Sequence, residues 1–377
     1  MSENNRLIAV LTNNDDDIYC FRKELIEHFI GEGLKVLISC PYGEKFELMK
    51  GIEYIYDDPE IDRRGTNVVK DAKLLLHYIR LFRKHRPSVV LTYTAKPNIY
   101  GSIAARMLGI PVINNVTGFG SVINKSGFTQ KLVMTLFKIA YSFSACVMFQ
   151  NSTNMKFAED TGLVRGEHKL IPGSGVNTQR YPAAPYPDGG NGIEGEKVAF
   201  NYIGRILHDK GVDDYIAAAE IIKKKYPATE FNLLGFIEPT EIHYQKELEE
   251  LEKRGIVRYH GSQKDIKPFV AASHATIHPS TYGEGMSNVL LESASSARPL
   301  ITTDNPGCKE TLIDDVTGFM YHGGNVEELC EKIEKFLALS NDERKEMGLK
   351  GREYIEENFS RNIVIRAYMD KINRILN

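Results

Sequence analysis

From Leu7 to Tyr321 short apolar runs, several rich in β-branched residues, alternate with longer segments whose apolar positions recur at helical spacing. That alternation constrains the fold more than any other feature, because parallel strands must each be reconnected through a crossover, usually a helix. The first half predicts strands at 7–11, 35–39, 88–93, 111–116, 146–150 and 169–171, with helices near 18–32, 67–85, 97–108, 127–143 and 151–161. The second half predicts strands near 198–203, 230–234, 257–260, 275–278, 300–302 and 318–321, interleaved with helices. At 377 residues the chain exceeds one comfortable core, so two α/β domains are expected. The Pro/Gly-rich stretch from Tyr181 to Gly192 reads as the linker between them.

The chemistry is concentrated in the second half. Gly283-Glu284-Gly285-Met286-Ser287-Asn288-Val289-Leu290-Leu291-Glu292 places a Gly-rich entry before a helical run. Such an entry lets a ligand approach the first turn, where free amides and the helix dipole favour phosphate. Eight residues of helix rise about 12 Å, which approximates the span from a sugar, across two phosphates, to a ribose. Glu284 and Glu292 suit the two ends, since a carboxylate accepts several hydroxyl hydrogen bonds. Arg205 and Lys210, in the loop Gly204-Arg205-Ile206-Leu207-His208-Asp209-Lys210-Gly211, follow a strand and precede a helix, where α/β proteins place ligand groups. Both are expected to be exposed, and they would hold a diphosphate. Taken singly, the basic pair is more often a solvated loop and the glutamate pair mostly a surface coincidence. Together they describe a site for a nucleotide sugar.

Glu284 to Glu292 resembles the E-x7-E motif of retaining glycosyltransferases of family 4, and Gly204-Arg205 to Lys210-Gly211 resembles their G-R-x4-K-G loop. Gly173-Ser174-Gly175-Val176-Asn177, Pro279-Ser280, Arg298-Pro299, Pro306-Gly307 and Thr317-Gly318-Phe319 continue the pattern. The resemblance implies a GT-B architecture, two Rossmann-like domains with parallel sheets facing a central cleft. Its boundaries would be 1–180 for an acceptor-binding domain, joined by a terminal helix 360–377, and 181–359 for the donor-binding domain. Glu284, Arg205 and Lys210 would be catalytic. Arg205, Lys210, Gly285, Met286, Ser287, Asn288 and Glu292 would bind the donor, a UDP-sugar by family habit. Arg205, Lys210 and the amides near 285–288 would take up the charge of the departing diphosphate.

In the first half, Lys96 in Thr94-Ala95-Lys96-Pro97-Asn98-Ile99-Tyr100-Gly101, and Thr117 and Gly118 in Val116-Thr117-Gly118-Phe119-Gly120, resemble segments of bacterial enzymes that extend lipid-linked oligosaccharides or surface polysaccharides. They are the acceptor candidates; Lys96 is equally a surface lysine. No histidine stands in these loops, and no catalytic histidine is assigned. Asp15-Asp16-Asp17 reads as a solvated turn, and metal-independent chemistry without a cofactor is expected.

Charge is segregated along the chain. From Ala72 to Ala158 there are eleven Lys or Arg and no Asp or Glu, although the whole chain carries −3. Such a surplus attracts an anionic surface or ligand. Within it, the stretch from Lys125 to Lys138 mixes Lys, Phe and Leu as an interfacial helix does; alone it also fits an ordinary packing helix with snorkelling lysines. No nucleic-acid motif appears. The five cysteines have no metal-like spacing and read as reduced. No signal-like stretch and no window of spanning length is found, so a cytoplasmic enzyme peripheral to the inner face of the membrane is expected. Its partners would be a nucleotide sugar, a lipid-linked saccharide acceptor and an anionic membrane surface. A soluble-acceptor transferase, a GT-B sugar-nucleotide epimerase and a non-catalytic sugar-binding subunit are the rival readings.

Overall fold

The computed structural model describes residues 6–62, 67–119, 128–193, 195 and 197–377. The chain divides into two compact units, Met1–Ser174 with Arg361–Asn377, and Gly175–Ser360. The first unit runs β1 (Leu7–Leu11), α1 (Asp15–Phe21), α2 (Lys23–Gly31), β2 (Lys35–Ser39), β3 (Ile55–Asp57), α3 (Val68–His85), β4 (Val89–Tyr93), α4 (Ser102–Met107), β5 (Val112–Val116), α5 (Phe128–Tyr141), β6 (Cys146–Phe149), α6 (Ser152–Asp160) and β7 (His168–Leu170). The second runs β8 (Val198–Ile203), α7 (Val212–Lys225), β9 (Thr229–Leu234), α8 (Tyr244–Lys253), β10 (Arg258–Tyr259), α9 (Lys267–Ala272), β11 (Ala275–His278), α10 (Asn288–Ser295), β12 (Leu300–Thr303), β13 (Gly318–Tyr321), α11 (Val326–Ala338) and α12 (Asn341–Phe359). Then α13 (Arg361–Leu376) belongs to the first unit again.

Among the described residues the first sheet has strand order β3-β2-β1-β4-β5-β6-β7 and the second β10-β9-β8-β11-β12-β13. All pairings are parallel. Each sheet is covered on both faces, which is why its central strands are uninterrupted apolar runs rather than alternating ones. In β1, Ile8 and Val10 pack with Tyr368 and Ile372 of α13, whereas Leu7, Ala9 and Leu11 pack with Tyr78 and Phe82 of α3. Each such fully buried aliphatic side chain contributes about 1.5–3 kcal/mol relative to exposure. Strand order reverses between β1 and β4 and between β8 and β11. At these switch points the loops after adjacent strands diverge and leave a crevice at the carboxyl ends.

Three local expectations are corrected. The helix expected near 18–32 is two helices meeting at Arg22, whose backbone leaves helical geometry at φ −124° and ψ −9°. The turn conformation lets the buried Arg22 guanidinium stack 4.0 Å from the Tyr93 ring centroid and donate to Ser174 Oγ at 2.8 Å. Asp15–Asp17 is not a solvated turn but the first turn of α1, where acids complement the helix dipole. Asn14 caps that helix through the Asp17 amide (2.8 Å), and the buried Asp17 carboxylate accepts from Thr12 Oγ1 at 2.5 Å. The Pro/Gly-rich stretch 181–192 is not a free linker; it lies within the second unit. The fully buried Arg298 has no carboxylate partner among the described residues and donates instead to carbonyls, including those of Ala184 and Pro185. Arg344 holds the Gly190 carbonyl in the same way. A buried guanidinium requires acceptors, and an extended proline-rich strap offers its carbonyls.

No described helix is long and apolar enough to cross a membrane.

Candidate functional site

The second unit's switch point assembles the residues singled out in the sequence. After β8 the chain turns through Gly204 and Arg205, makes a 3-10 turn at His208–Lys210, and enters α7 through Gly211 at φ 71°. A Cβ at Gly211 would overlap the carbonyl of Pro279, so only glycine lets this loop touch the one after β11. Thr281 N–H donates to the Asp209 carbonyl at 3.2 Å across the same seam. Gly307 (φ 83°) lies against the Glu284 backbone, and Glu284 and Ser287 donate their amides to the carbonyls of Pro306 (3.0 Å) and Gly307 (2.8 Å). Glu284 is thus fixed by backbone contacts from the loop after β12, while Lys210 reaches it from the loop after β8.

The Lys210 ammonium stands 2.8 Å from Glu284 Oε1, and His278 Nε2 donates to the same oxygen at 2.9 Å. Ser287 Oγ lies 3.2 Å from that His278 nitrogen. Burial alone would raise the Glu284 carboxyl; the Lys210 charge and the His278 hydrogen bond outweigh it and hold the group well below the usual carboxylate range. Lys210 and His278 thus favour Glu284 as an ionised acceptor. Lys210 is only 14% exposed, against the exposed position expected from sequence, and its ammonium is engaged by Glu284. Arg205 is 41% exposed and pairs with the buried Glu238 at 2.6 Å, a partner the sequence did not reveal.

Helix α10 begins at Asn288, with Ser287 at the cap position. Since the Ser287 amide is engaged by Gly307, the amides left without an intrahelical acceptor are those of Asn288, Val289 and Leu290. Met286 is buried with Leu290, Leu291 and Cys308, which packs the helix start in place, and Gly285 is buried beside it. Glu292 sits half-buried one turn into α10.

His278, Glu284 and Cys308 bring potential ligand atoms within 4.8 Å of one another. A cation there would compete with the Lys210 ammonium already on Glu284, and burial raises the Cys308 thiol, which opposes the thiolate a metal needs. The cluster is better matched to anchoring Glu284 than to holding a metal.

In the first unit Lys96 is an ion-paired group rather than a free surface lysine: its ammonium is 2.6 Å from Asp71 Oδ1, and Tyr100 donates to Asp71 Oδ2 at 2.9 Å. Thr117 and Gly118 (φ 123°) follow β5, with Phe119 buried against Phe137 and Phe157. Below them is a buried amide network: Asn114 donates to Thr92 Oγ1 (2.6 Å) and Ser102 Oγ (2.8 Å), and Asn115 donates to the Tyr368 hydroxyl (2.8 Å). Gly120 and Lys125 lie outside the described residues. The sequence reading missed His278, Glu238 and Asp71. His278 alone carried a signal, as a histidine ending a strand directly before Pro279-Ser280 and the glutamate loop.

Two doubly wound parallel sheets in one chain, with polar loops gathered at their switch points, are the architecture of the GT-B glycosyltransferases. HepE of Anabaena, solved with UDP and glucose, has the same fold, with a TM-score of 0.79 over 98% of this chain and 100% of that one at 16% identity. Residues 188–354 match the family described as glycosyl transferases group 1, and residues 8–151 match the glycosyl transferase 4-like family. The chain belongs to the group 1 glycosyltransferases, family 4, whose members retain anomeric configuration. It is 27% identical to the capsular polysaccharide biosynthesis glycosyltransferase CapM of Staphylococcus aureus, over 83% of this chain and 84% of the relative. It is 24% identical, over 98% and 99%, to the N,N'-diacetylbacillosaminyl-diphospho-undecaprenol alpha-1,3-N-acetylgalactosaminyltransferase of Campylobacter jejuni.

Proposed function

We propose that this glycosyltransferase moves a hexose or N-acetylhexosamine from a UDP-sugar to a polyprenyl-diphosphate-linked saccharide in cell-surface glycan synthesis. The observation that carries the donor half is the Lys210–Glu284–His278 cluster just before α10, with Arg205 on the same loop as Lys210. The acceptor half is supported by the undecaprenol-linked acceptor of the Campylobacter relative. In this reading the second unit binds the donor and the first the acceptor. Arg205, Lys210 and the amides of Asn288–Leu290 receive the charge that develops on the diphosphate, Glu292 binds the ribose, and Glu284 orients the donor sugar through its hydroxyls. Lys96, Thr117 and Gly118 meet the acceptor.

The acceptor hydroxyl attacks the anomeric carbon on the face the diphosphate leaves. The carbon–oxygen bond to phosphate breaks as the new glycosidic bond forms, and the acceptor proton passes to a leaving phosphate oxygen. Two cationic side chains and a helix start supply the charge stabilisation a metal would otherwise provide, so the reaction proceeds without one. The enzyme works at the cytoplasmic face of an anionic membrane, where a lipid-linked acceptor and a water-soluble donor meet.

The test is UDP release from a panel of UDP-sugars, with and without polyprenyl-diphosphate saccharides in detergent, in the presence of EDTA. Acceptor-stimulated release from one sugar is expected. Turnover only on soluble sugars would replace the lipid-linked acceptor with a soluble one, and loss of turnover with EDTA would overturn metal independence.

A further inference from the structure

Helix α5 is amphipathic in an unusual sense: its outer face is itself half apolar. Phe137, Ala140 and Tyr141 are buried in the core of the first unit together with Val147 and Phe149 of β6. On the opposite side, Lys131, Leu132, Thr135, Lys138, Ile139, Ser142 and Phe143 are all exposed and recur every three to four residues. Arg106 and Met107, at the end of α4, extend the same surface, since the Arg106 guanidinium lies 4.7 Å from the Phe143 ring centroid. The apolar members range from 41% exposed at Ile139 to 61% at Met107. A solvated helix face has no use for large apolar side chains at successive turns.

The charges on this face are of one sign. Among the described residues Arg106, Lys131 and Lys138 have no carboxylate partner, and the face carries no acid. The nearest following acids in the chain, both on α6, are engaged elsewhere: Asp160 with Lys156 (3.5 Å) and Glu159 with His168 (2.9 Å). We propose that the face formed by Met107, Leu132, Ile139 and Phe143, fringed by Arg106, Lys131 and Lys138, is the membrane-docking surface of the enzyme, its apolar side chains entering the acyl boundary of an anionic bilayer. The proposal deepens, and rests on, the membrane-surface reading given above. A second copy of the chain is a poorer occupant, because a two-fold contact would set these cations against themselves with no acid to pair them. An anionic lipid surface supplies both complements, headgroup charge for the cations and hydrocarbon for the four side chains between them.

The experiment compares the full chain with Leu132→Ser/Ile139→Ser/Phe143→Ser and with Lys131→Glu/Lys138→Glu in co-sedimentation with vesicles. The vesicles are pure phosphatidylcholine, or phosphatidylcholine with about one third phosphatidylglycerol. The parent protein should bind the anionic vesicles, and each variant should bind at least about tenfold more weakly. Thermal unfolding and UDP release in detergent should be unchanged, because none of these residues lies in the donor or acceptor site. Parent protein that ignores anionic vesicles, or a triple variant that binds them as well as the parent does, overturns the proposal. So does a concentration-dependent dimer that the triple variant abolishes, which would make this face a self-interface. Acceptor-stimulated turnover in detergent without vesicle binding sinks only the docking surface; vesicle binding without turnover sinks only the functional reading.

Discussion

Lys210 Nζ and His278 Nε2 converge on a single oxygen, Oε1 of Glu284, from 2.8 and 2.9 Å. The carboxylate is thereby fixed in charge and direction before any ligand arrives, which is what preorganised electrostatic stabilisation requires. Lys210→Ala should reduce turnover by about 10²-fold or more. It should also cost about 1–3 kcal/mol of stability, since it leaves a largely buried carboxylate without its cation. Combining it with Glu284→Gln should cost less than the two changes added, and denaturant melts with steady-state kinetics read both effects.

Arg205 makes the contrasting case. Its own side chain is 41% exposed, which screens the pair, but Glu238 is buried, so losing the cation should cost about 1 kcal/mol. Arg205→Ala should therefore lose about 10²-fold in turnover while melting within a few degrees of the parent. Equal damage to folding and turnover would remove Arg205 from the catalytic assignment.

His278 acts through Glu284. His278→Gln keeps a donor of similar reach and His278→Ala does not. The alanine variant should lose about tenfold in kcat with little change in acceptor KM, and the glutamine variant should recover part of it. Indistinguishable variants would reduce His278 to packing.

Gly211→Ala is expected to be more disruptive than a methyl group suggests. The residue lies at φ 71° and a Cβ there would overlap the Pro279 carbonyl. A loss of at least about 1–3 kcal/mol is expected, together with a raised donor KM as the Lys210 loop withdraws. Urea titration against donor kinetics tests both.

A buried histidine away from the site sets an acid limit. His274 accepts from the Ala199 amide on Nδ1 (3.0 Å) and faces the Asp188 carbonyl through Nε2 (3.2 Å), an arrangement that needs the neutral ring. Burial, the largest influence, pushes it down to about 4. The unfolded chain binds this proton near pH 6.5, so the stabilisation is complete above that pH and is lost as pH falls to about 4, by about 3 kcal/mol. The stability of His274→Gln should depend less on pH across that window than the parent's does.

Lys96→Ala should raise the acceptor KM and leave donor KM alone. Its ammonium is held by Asp71, so Asp71→Asn should perturb the acceptor step in the same direction by a smaller factor. Unchanged acceptor KM in both would confine the pair to structure.

The long strands and helices were legible because both faces of each sheet are covered, which turns strands such as Leu7–Leu11 into unbroken apolar runs. Strand β3 was missed, being three residues with an exposed or half-exposed pattern at a sheet edge. Arg205, Lys210 and Glu284 were singled out through spacing within loops. Their partners were not: Glu238 follows another strand, β9, and only topology makes it a neighbour of Arg205, while His278, six residues before Glu284 at the end of β11, was passed over although it stood directly before the glutamate loop. The acid-free window from Ala72 began one residue after Asp71, the carboxylate that holds Lys96. The proline-rich strap misled for a related reason: composition predicts an extended segment, but not that buried Arg298 and Arg344 require its carbonyls.

The chain leaves its first unit after Ser174 and re-enters it at Arg361. Made from the N-terminus onward, the second unit has all its strands and helices by Ser360, whereas the first still lacks Tyr368 and Ile372, which fill its core beside β1. Order of synthesis and order of completion are therefore reversed: the half begun first must wait, with an open apolar face, for the half begun second. A nascent chain stalled just past Ser360 is thus the species most in need of a chaperone.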